Sequence, residues 1–352
     1  MWQNSLIGGN AMSSSQPTPH VTPERIFEIV NAHQNSAALK AAVELDIFTA
    51  IGEGNKKPAS IARRCKASER GVRILCDFLA VGGLITKQNG AYGLAPDAAM
   101  FLDRRSPAAL GSVTEFLLSP PLLEAFSDLG GVVRNGTTNL GPHGEGTLQT
   151  ENPAWVEFAR SMAPMMAFPA ELIAGATRAS EGKKCKVLDI AAGHGLFGIA
   201  QARHNPNAEI VAVDWQNVLE VAKENAAKAG VADRYRTLPG DAFKVEFGTG
   251  YDLVLLTNFL HHFDVPNCET FLKKVHAALA PGGIAATFEF VPNEDRISPP
   301  MPAKFSMIML ATTPSGDAYT LSQYQKMFAS AGFRSCKQLE LPTPQQLLIS
   351  EK

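Results

Sequence analysis

From Thr22 onward apolar residues recur at helical spacing in TPERIFEIVNAHQNSAALKAAVELDIFTAI, with Thr22, Pro23 and Glu24 supplying a helix start. Two shorter helical patterns follow, PASIARRC and SERGVRILCDFLAVGGLI. Ser68 is placed to cap the second and Gly82–Gly83 to stop it. LITKQNGAYGLA then switches to short β-prone runs around Asn89–Gly90, a strong hairpin signal. Three helices and a hairpin make a winged-helix order. Between residues 107 and 180, apolar helical stretches alternate with breaks such as GGVVRNGTTNLGPHGEGT. There WVEFARSMAPMMAFPAELIAGA crowds Trp155, Phe158, Met162, Met165, Met166 and Phe168 together. That crowding suits a buried helix face, and equally the wall of an apolar pocket, since Met and aromatic side chains adapt to flat ligands.

After Lys183 the pattern changes. The apolar runs KVLDIA, EIVAVDW, YDLVLLTN, GIAATFEF, CKQLEL and QQLLISE alternate with helical stretches such as QNVLEVAKENAAKAG, CETFLKKVHAALA and LSQYQKMFASAGF. Continuous apolar strands alternating with helices predict a parallel, doubly wound α/β sheet. Only PTP joins the last two strands, too little for a crossover helix, so the final strand should run antiparallel to its predecessor. The resulting organisation is a disordered tail (1–20), a winged-helix-like domain (21–106), a helical connection forming a pocket wall (107–180) and a ligand-binding α/β domain (181–352).

Bulk properties narrow the function classes. The chain has 352 residues, 45% hydrophobic and 19% charged, enough for two soluble domains. A net charge of −2 gives no electrostatic case for nucleic acid or an anionic membrane, and no apolar run is long enough to span a bilayer. The winged-helix order invites a DNA-binding reading. However, its helices carry only Arg63, Arg64, Lys66, Arg70 and Arg73, set among acids, so packing or dimerisation is the better expectation. Five scattered cysteines point to a reducing cytoplasm, and no metal-ligand spacing is present, so no metal is expected.

The candidate chemistry begins at KVLDIAAGHGLFGIA, where Gly193, Gly195 and Gly198 complete a G-x-G-x-x-G pattern between strand and helix. This pattern flags a dinucleotide, but any adenosine ligand needs the same close backbone approach. Asp214 lies 21 residues after Gly193, at the end of the second strand, where either ligand wants an acceptor for ribose hydroxyls. Asp189 argues against a dinucleotide: an anion beside the loop repels a pyrophosphate but suits an ammonium and a sulfonium. GDAF (Gly240–Phe243) places Asp241 after a third strand, where an adenine amino group could be bound. LLTNFLHHFD ends the fourth strand and LAPGG precedes the fifth.

With these motifs the chain resembles the class I S-adenosylmethionine-dependent methyltransferases. More narrowly, it resembles the O-methyltransferase family that includes caffeate-type and acetylserotonin-type enzymes, over nearly everything from Val21 to Lys352. The family's D-x-G-G-G-x-G stands here as DIAAGHG, with Ala191 and Ala192 at two glycine positions. The resemblance implies a Rossmann-like sheet with an antiparallel last strand and a homodimer formed through the N-terminal domain. It also implies S-adenosylmethionine held by Asp189, Gly193, Gly195, Asp214, Trp215, Gly240, Asp241, Ala242, Phe243, Thr257 and Asn258.

Methyl transfer to a hydroxyl needs alignment and a base. His261 follows the fourth strand, and the family's W-x-x-H-D-W aligns with NFLHHF to select it, with His262 replacing the family's Asp. Glu289, 28 residues later at the end of the fifth strand, would orient it, and Asp317 is carried over as a second carboxylate partner. Phe158, Met162, Met165, His262, Phe305, Ile308 and Met309 would line a pocket for a small aromatic or conjugated hydroxylated acceptor. His194 reads as an exposed loop residue. Alternatives left open are a nitrogen, sulfur or carbon acceptor, and a non-methylating reaction that uses the same cofactor.

Overall fold

The computed structural model describes residues 21–177 and 182–352. The expected tail (1–20) and the junction at 178–181 lie outside the described residues. The N-terminal part comprises α1 (Glu24–Glu44), α2 (Ile47–Gly52), α3 (Pro58–Cys65), α4 (Glu69–Val81), the hairpin β1 (Ile85–Gln88) and β2 (Ala91–Leu94), and α5 (Pro96–Phe101). The Ser68 hydroxyl accepts from the Gly71 amide and caps α4, which buries Val72, Cys76 and Leu79 on one face. Asn89 and Gly90 both take positive φ, 50° and 70°, the requirement of a two-residue turn whose twist matches the hairpin. These elements close on a core that includes Ile47, Phe48, Ile61, Ile85 and Tyr92. The first half of α1 packs on none of it. Ile26, Phe27, Ile29 and Val30 are 60–68% exposed, an apolar face that the described residues leave uncovered.

The connection consists of α6 (Val113–Leu117), α7 (Pro120–Ala125), α8 (Leu129–Asn135), α9 (Pro153–Ser161) and α10 (Ala163–Ala176). The crowded WVEFARSMAPMMAFPA stretch is thus two helices meeting at Met162. The Gly-rich segment before α9 is anchored. Thr137 and Thr138 hydroxyls donate to the Pro314 and Ala311 carbonyls at 3.0 and 2.7 Å, and Trp155 Nε1 donates to the Thr147 carbonyl at 2.9 Å.

The C-terminal part runs β3 (Cys185–Ile190), α11 (Leu196–His204), β4 (Ala208–Asp214), α12 (Gln216–Lys228), β5 (Tyr235–Pro239), β6 (Tyr251–Thr257), α13 (Val265–Ala278), β7 (Leu279–Glu289), α14 (Pro300–Thr312), α15 (Leu321–Ser330), β8 (Ser335–Leu339) and β9 (Gln346–Glu351). Its seven strands lie in the order β5-β4-β3-β6-β7-β9-β8. The first five are mutually parallel, and β9 is antiparallel to both of its neighbours, as the short PTP link requires. LAPGG does not precede the fifth strand but opens it, through an irregular register opposite Tyr251–Leu253. Central strand residues Val187, Leu188, Ile190, Val254, Leu255 and Leu256 are fully buried, each contributing about 1.5–3 kcal/mol of apolar burial. Helices α10, α11 and α12 cover one face, α13 and α15 the other. Sheet order turns outward on both sides of β3, so the carboxyl ends of β3, β4, β5, β6 and β7 open on one rim, where doubly wound sheets bind ligands.

Candidate active site

At that rim β3 runs into the loop Ala191–Gly195. Ala191, Gly193 and Gly195 all take positive φ (52°, 56° and 76°), so the first of the two replaced glycines leaves an alanine in left-handed backbone. Gly195 and Gly198 are required by close approach. A Cβ at Gly195 would meet Tyr235 Oη at 2.7 Å, and one at Gly198 would meet Asp189 Oδ2 and Ile210 Cγ2 at 2.8 Å. Asp189 departs from its expected role as a cofactor ligand. It is fully buried beneath the loop, and its Oδ2 accepts from the Gly198 amide at 3.0 Å, so it props the first turn of α11 from below. Its Oδ1 has no partner among the described residues, and burial pushes the carboxyl up to about 8. His194 is likewise not an exposed loop residue. It is buried, its Nδ1 accepts from the Leu196 amide at 3.1 Å, and burial pushes its pKa down to about 4, leaving a neutral ring protonated on Nε2.

Asp214, at the end of β4, receives the Gly193 amide at 2.8 Å on one oxygen and the Trp215 amide at 2.7 Å on the other. Burial raises it to about 6 although both hydrogen bonds oppose the shift. Trp215 immediately precedes α12 and packs with Trp155 on the small core of Ala159, Val218 and Val221. Beyond β5, Gly240 has φ 134° and Asp241 turns the chain, its Oδ1 accepting from the Phe243 amide at 2.9 Å. Sequence reasoning missed Lys274 of α13, whose ammonium donates to the carbonyls of Ala242, Phe243 and Val245. Its spacing in an ordinary helical pattern offered no signal. Thr257 is buried at the end of β6, and Asn258 follows at φ 53°, its amide donating to the Phe288 carbonyl at 2.8 Å.

That last bond brings the ends of β6 and β7 together and sets Glu289 beside the turn Leu260–His262. Glu289 is fully buried: Oε1 accepts from the Phe259 and Leu260 amides at 3.0 and 2.8 Å, and Oε2 binds His261 Nδ1. A carboxylate in this position can only accept, so Nδ1 donates to it and Nε2 is the ring nitrogen turned away from Glu289. Asp317, expected as a second partner, is not one. Its carboxylate pairs with Arg296 at 3.1 Å, and only its backbone amide touches the catalytic turn, donating to the His261 carbonyl at 3.0 Å. Gly316 makes that contact possible, since a Cβ there would overlap the same carbonyl oxygen.

A continuous series of ring contacts leads to the base. Phe116 meets Phe158 (5.1 Å between centroids), Phe158 meets Trp155 (5.7 Å), Trp155 meets His262 (5.3 Å), His262 meets His261 (4.3 Å) and His261 meets Phe305 (4.8 Å), which stacks on Phe290. Burial and the neighbouring His261 hold His262 well below the ordinary imidazole pKa, and its Nδ1 is buried without a partner among the described residues. Of the other expected pocket residues, Met162 and Met309 are buried and Met165 packs against the sheet core. Ile308, on α14, is 36% exposed. Phe168 is also exposed, outside the crowded cluster.

Comparison with known proteins identifies the family and the fold. The family model for the O-methyltransferase domain matches residues 157–334, and that for the O-methyltransferase dimerisation domain matches residues 27–104. The tetracenomycin polyketide synthesis 8-O-methyl transferase of Streptomyces glaucescens is 25% identical over 340 residues, covering 95% of this chain and 99% of that protein. A crystal structure of a candidate O-methyltransferase from Nostoc punctiforme superposes with a TM-score of 0.90 at 53% identity, covering 94% of this chain and 99% of that one. Human N-acetylserotonin methyltransferase, solved in complex with S-adenosylmethionine, shares the fold with a TM-score of 0.82 at 21% identity, covering 97% of this chain and 99% of that one.

Proposed function

Because the chain belongs to the O-methyltransferase family, we propose that it transfers a methyl group from S-adenosylmethionine to a hydroxyl of a small aromatic acceptor, with His261 as general base. The observation that carries this reading is the buried Glu289–His261 pair at the carboxyl ends of β6 and β7. An aryl hydroxyl must lose its proton as it attacks, and an imidazole held through Nδ1, with Nε2 as the receiving atom, suits that task. A thiol or an amine needs such help less, which disfavours those acceptors.

The loop residues fit the cofactor. Asp214 sits in a desolvated position that raises its pKa, so the rim favours a ligand that donates hydrogen bonds or carries positive charge, while Asp189 supports the loop from beneath. Gly193 and Gly195 let the backbone approach the ligand closely. Asp214 would accept from ribose hydroxyls and Asp241 from the adenine amino group, with Thr257 and Asn258 beside them. When bound, S-adenosylmethionine supplies an electrophilic methyl on a sulfonium.

The chain's own residues do the rest. The ring series from Phe158 to Phe305 holds a flat acceptor and excludes water. Glu289 fixes the His261 tautomer and stabilises the imidazolium that forms, at a residue only 3% exposed. Such alignment supplies several kcal/mol of barrier reduction, and the base adds about 10²–10⁴-fold.

The exposed apolar face of α1 supports a homodimer, and the helix–hairpin order supports a winged-helix description of that domain. Five free cysteines support a reducing, cytoplasmic location. The test is S-adenosylhomocysteine formation by wild type and His261→Ala against phenols, catechols, enols, thiols and amines. Turnover of a hydroxylated acceptor that collapses in the variant is expected. Turnover of thiols or amines alone, indifferent to His261, would overturn the mechanism.

A further inference from the structure

Lys274 lies in α13, away from the catalytic turn, yet its ammonium is committed to the loop that follows β5. It donates to the Ala242 carbonyl at 2.9 Å, the Phe243 carbonyl at 3.0 Å and the Val245 carbonyl at 2.6 Å, and sits 4.2 Å from the centroid of the Phe247 ring. An ammonium has three N–H donors, and all three are used. No donor remains for a ligand, so whatever Lys274 does, it does through the loop.

The loop needs that help. Asp241 opens a single tight turn in which the Lys244 and Val245 amides return to the Asp241 carbonyl at 2.8 and 2.9 Å, while the Phe243 amide bonds Asp241 Oδ1. One turn leaves its following carbonyls without backbone donors, as at any helix end. Lys274 supplies those donors from a separate helix and so fixes the direction in which the turn presents the Asp241 carboxylate. Oδ1 is occupied within the turn, and the other partner, Lys244 on Oδ2 at 3.1 Å, stands 82% exposed in water, where an ion pair is weak. The carboxylate is therefore oriented by the turn and not by its ion pair. Phe243 extends the same linkage, with its ring 4.8 Å from Phe263 and 4.8 Å from Phe271.

We propose that Lys274 is the positioning residue for the nucleoside end of the cofactor, holding the turn so that Asp241 recognises the adenine amino group. This rests on the reading of Asp241 given above. Titration calorimetry on the full chain would use S-adenosylhomocysteine and its analogue in which hydrogen replaces the 6-amino group, with wild type, Lys274→Met and Lys274→Arg. Wild type should bind the amino form at least about tenfold more tightly than the analogue. In Lys274→Met the amino form should weaken by about 10–100-fold, the two ligands should converge to within about twofold, and Lys274→Arg should recover most of the preference. KM for the acceptor should stay unchanged.

Equal weakening of both ligands by Lys274→Met would mean that the residue only stabilises the fold, and no weakening would mean that the clamp is idle; either overturns the proposal. A wild type indifferent to the amino group would remove Asp241 as its receptor, and the role of Lys274 with it. If Lys274→Met does not fold, Lys274→Gln, which keeps part of the donor set, answers the same question by the same ratio of affinities.

Discussion

Replacing Glu289 by Gln tests the catalytic geometry at its centre. The carboxylate is buried and serves three donors: the Phe259 and Leu260 amides on Oε1 and His261 Nδ1 on Oε2. Alanine would orphan all three at about 1–3 kcal/mol each, a sum comparable with a whole domain's stability, so a dead variant would mean little. Glutamine keeps one oxygen for the two amides and turns an NH₂ toward Nδ1. Two donors cannot face each other. The imidazole must therefore give up its Nδ1 proton and carry it on Nε2, the atom that has to receive the acceptor's proton. The charge-assisted bond, worth about 1.5–3 kcal/mol, is lost as well. We expect kcat to fall by about 10²–10⁴-fold, with the affinity for S-adenosylhomocysteine retained. S-adenosylhomocysteine production under saturating substrates measures kcat, and nitrogen NMR of labelled histidine reads which ring nitrogen carries the proton. A variant that keeps more than about a third of wild-type kcat, with the proton moved to Nε2, would refute the reasoning.

Two further outcomes follow from the buried contacts. Asp189 is raised to about 8 in the folded chain against about 4 when unfolded, so folding holds a proton that the unfolded chain releases. Its contribution to stability is complete below about pH 4 and is lost as pH rises toward about 8. Asp189→Asn keeps an oxygen for the Gly198 amide and does not titrate. Its melting temperature should therefore gain on wild type progressively across that window, by several degrees, and parallel melting curves would contradict the assignment. Gly316→Ala drives a Cβ into the His261 carbonyl oxygen and should cost about 1–3 kcal/mol of stability and at least about tenfold in kcat, leaving cofactor affinity intact; calorimetry and kinetics together would expose a substitution that is silent.

Much of this was legible in the chain because it depends on local rules. Ser68 caps α4 and Asn89–Gly90 turns the hairpin because those side chains and dihedral freedoms act within a few residues. The PTP link forced an antiparallel last strand by length alone. His261 and Glu289 could be paired because a parallel sheet places the ends of consecutive strands side by side, so sequence position translates directly into proximity on the rim. Burial and side-chain direction are different, since they depend on elements far apart in the chain. Asp189 stands where a ligand contact is expected, yet α11 folds over it and claims its carboxylate. Asp317 lies near His261 in the folded chain, but Arg296, brought round by the loop after β7, takes its side chain and leaves only a backbone contact. His194 reads as a polar loop residue until α11 and α12 close around it. Lys274 carries no signal at all, because the carbonyls it serves are exposed by a turn some thirty residues earlier. The sequence determined which chemical groups reach the rim, through strand order and spacing. The tertiary structure decided which of them face a ligand, because hydrogen-bond partners and desolvation are supplied by whatever packs against them.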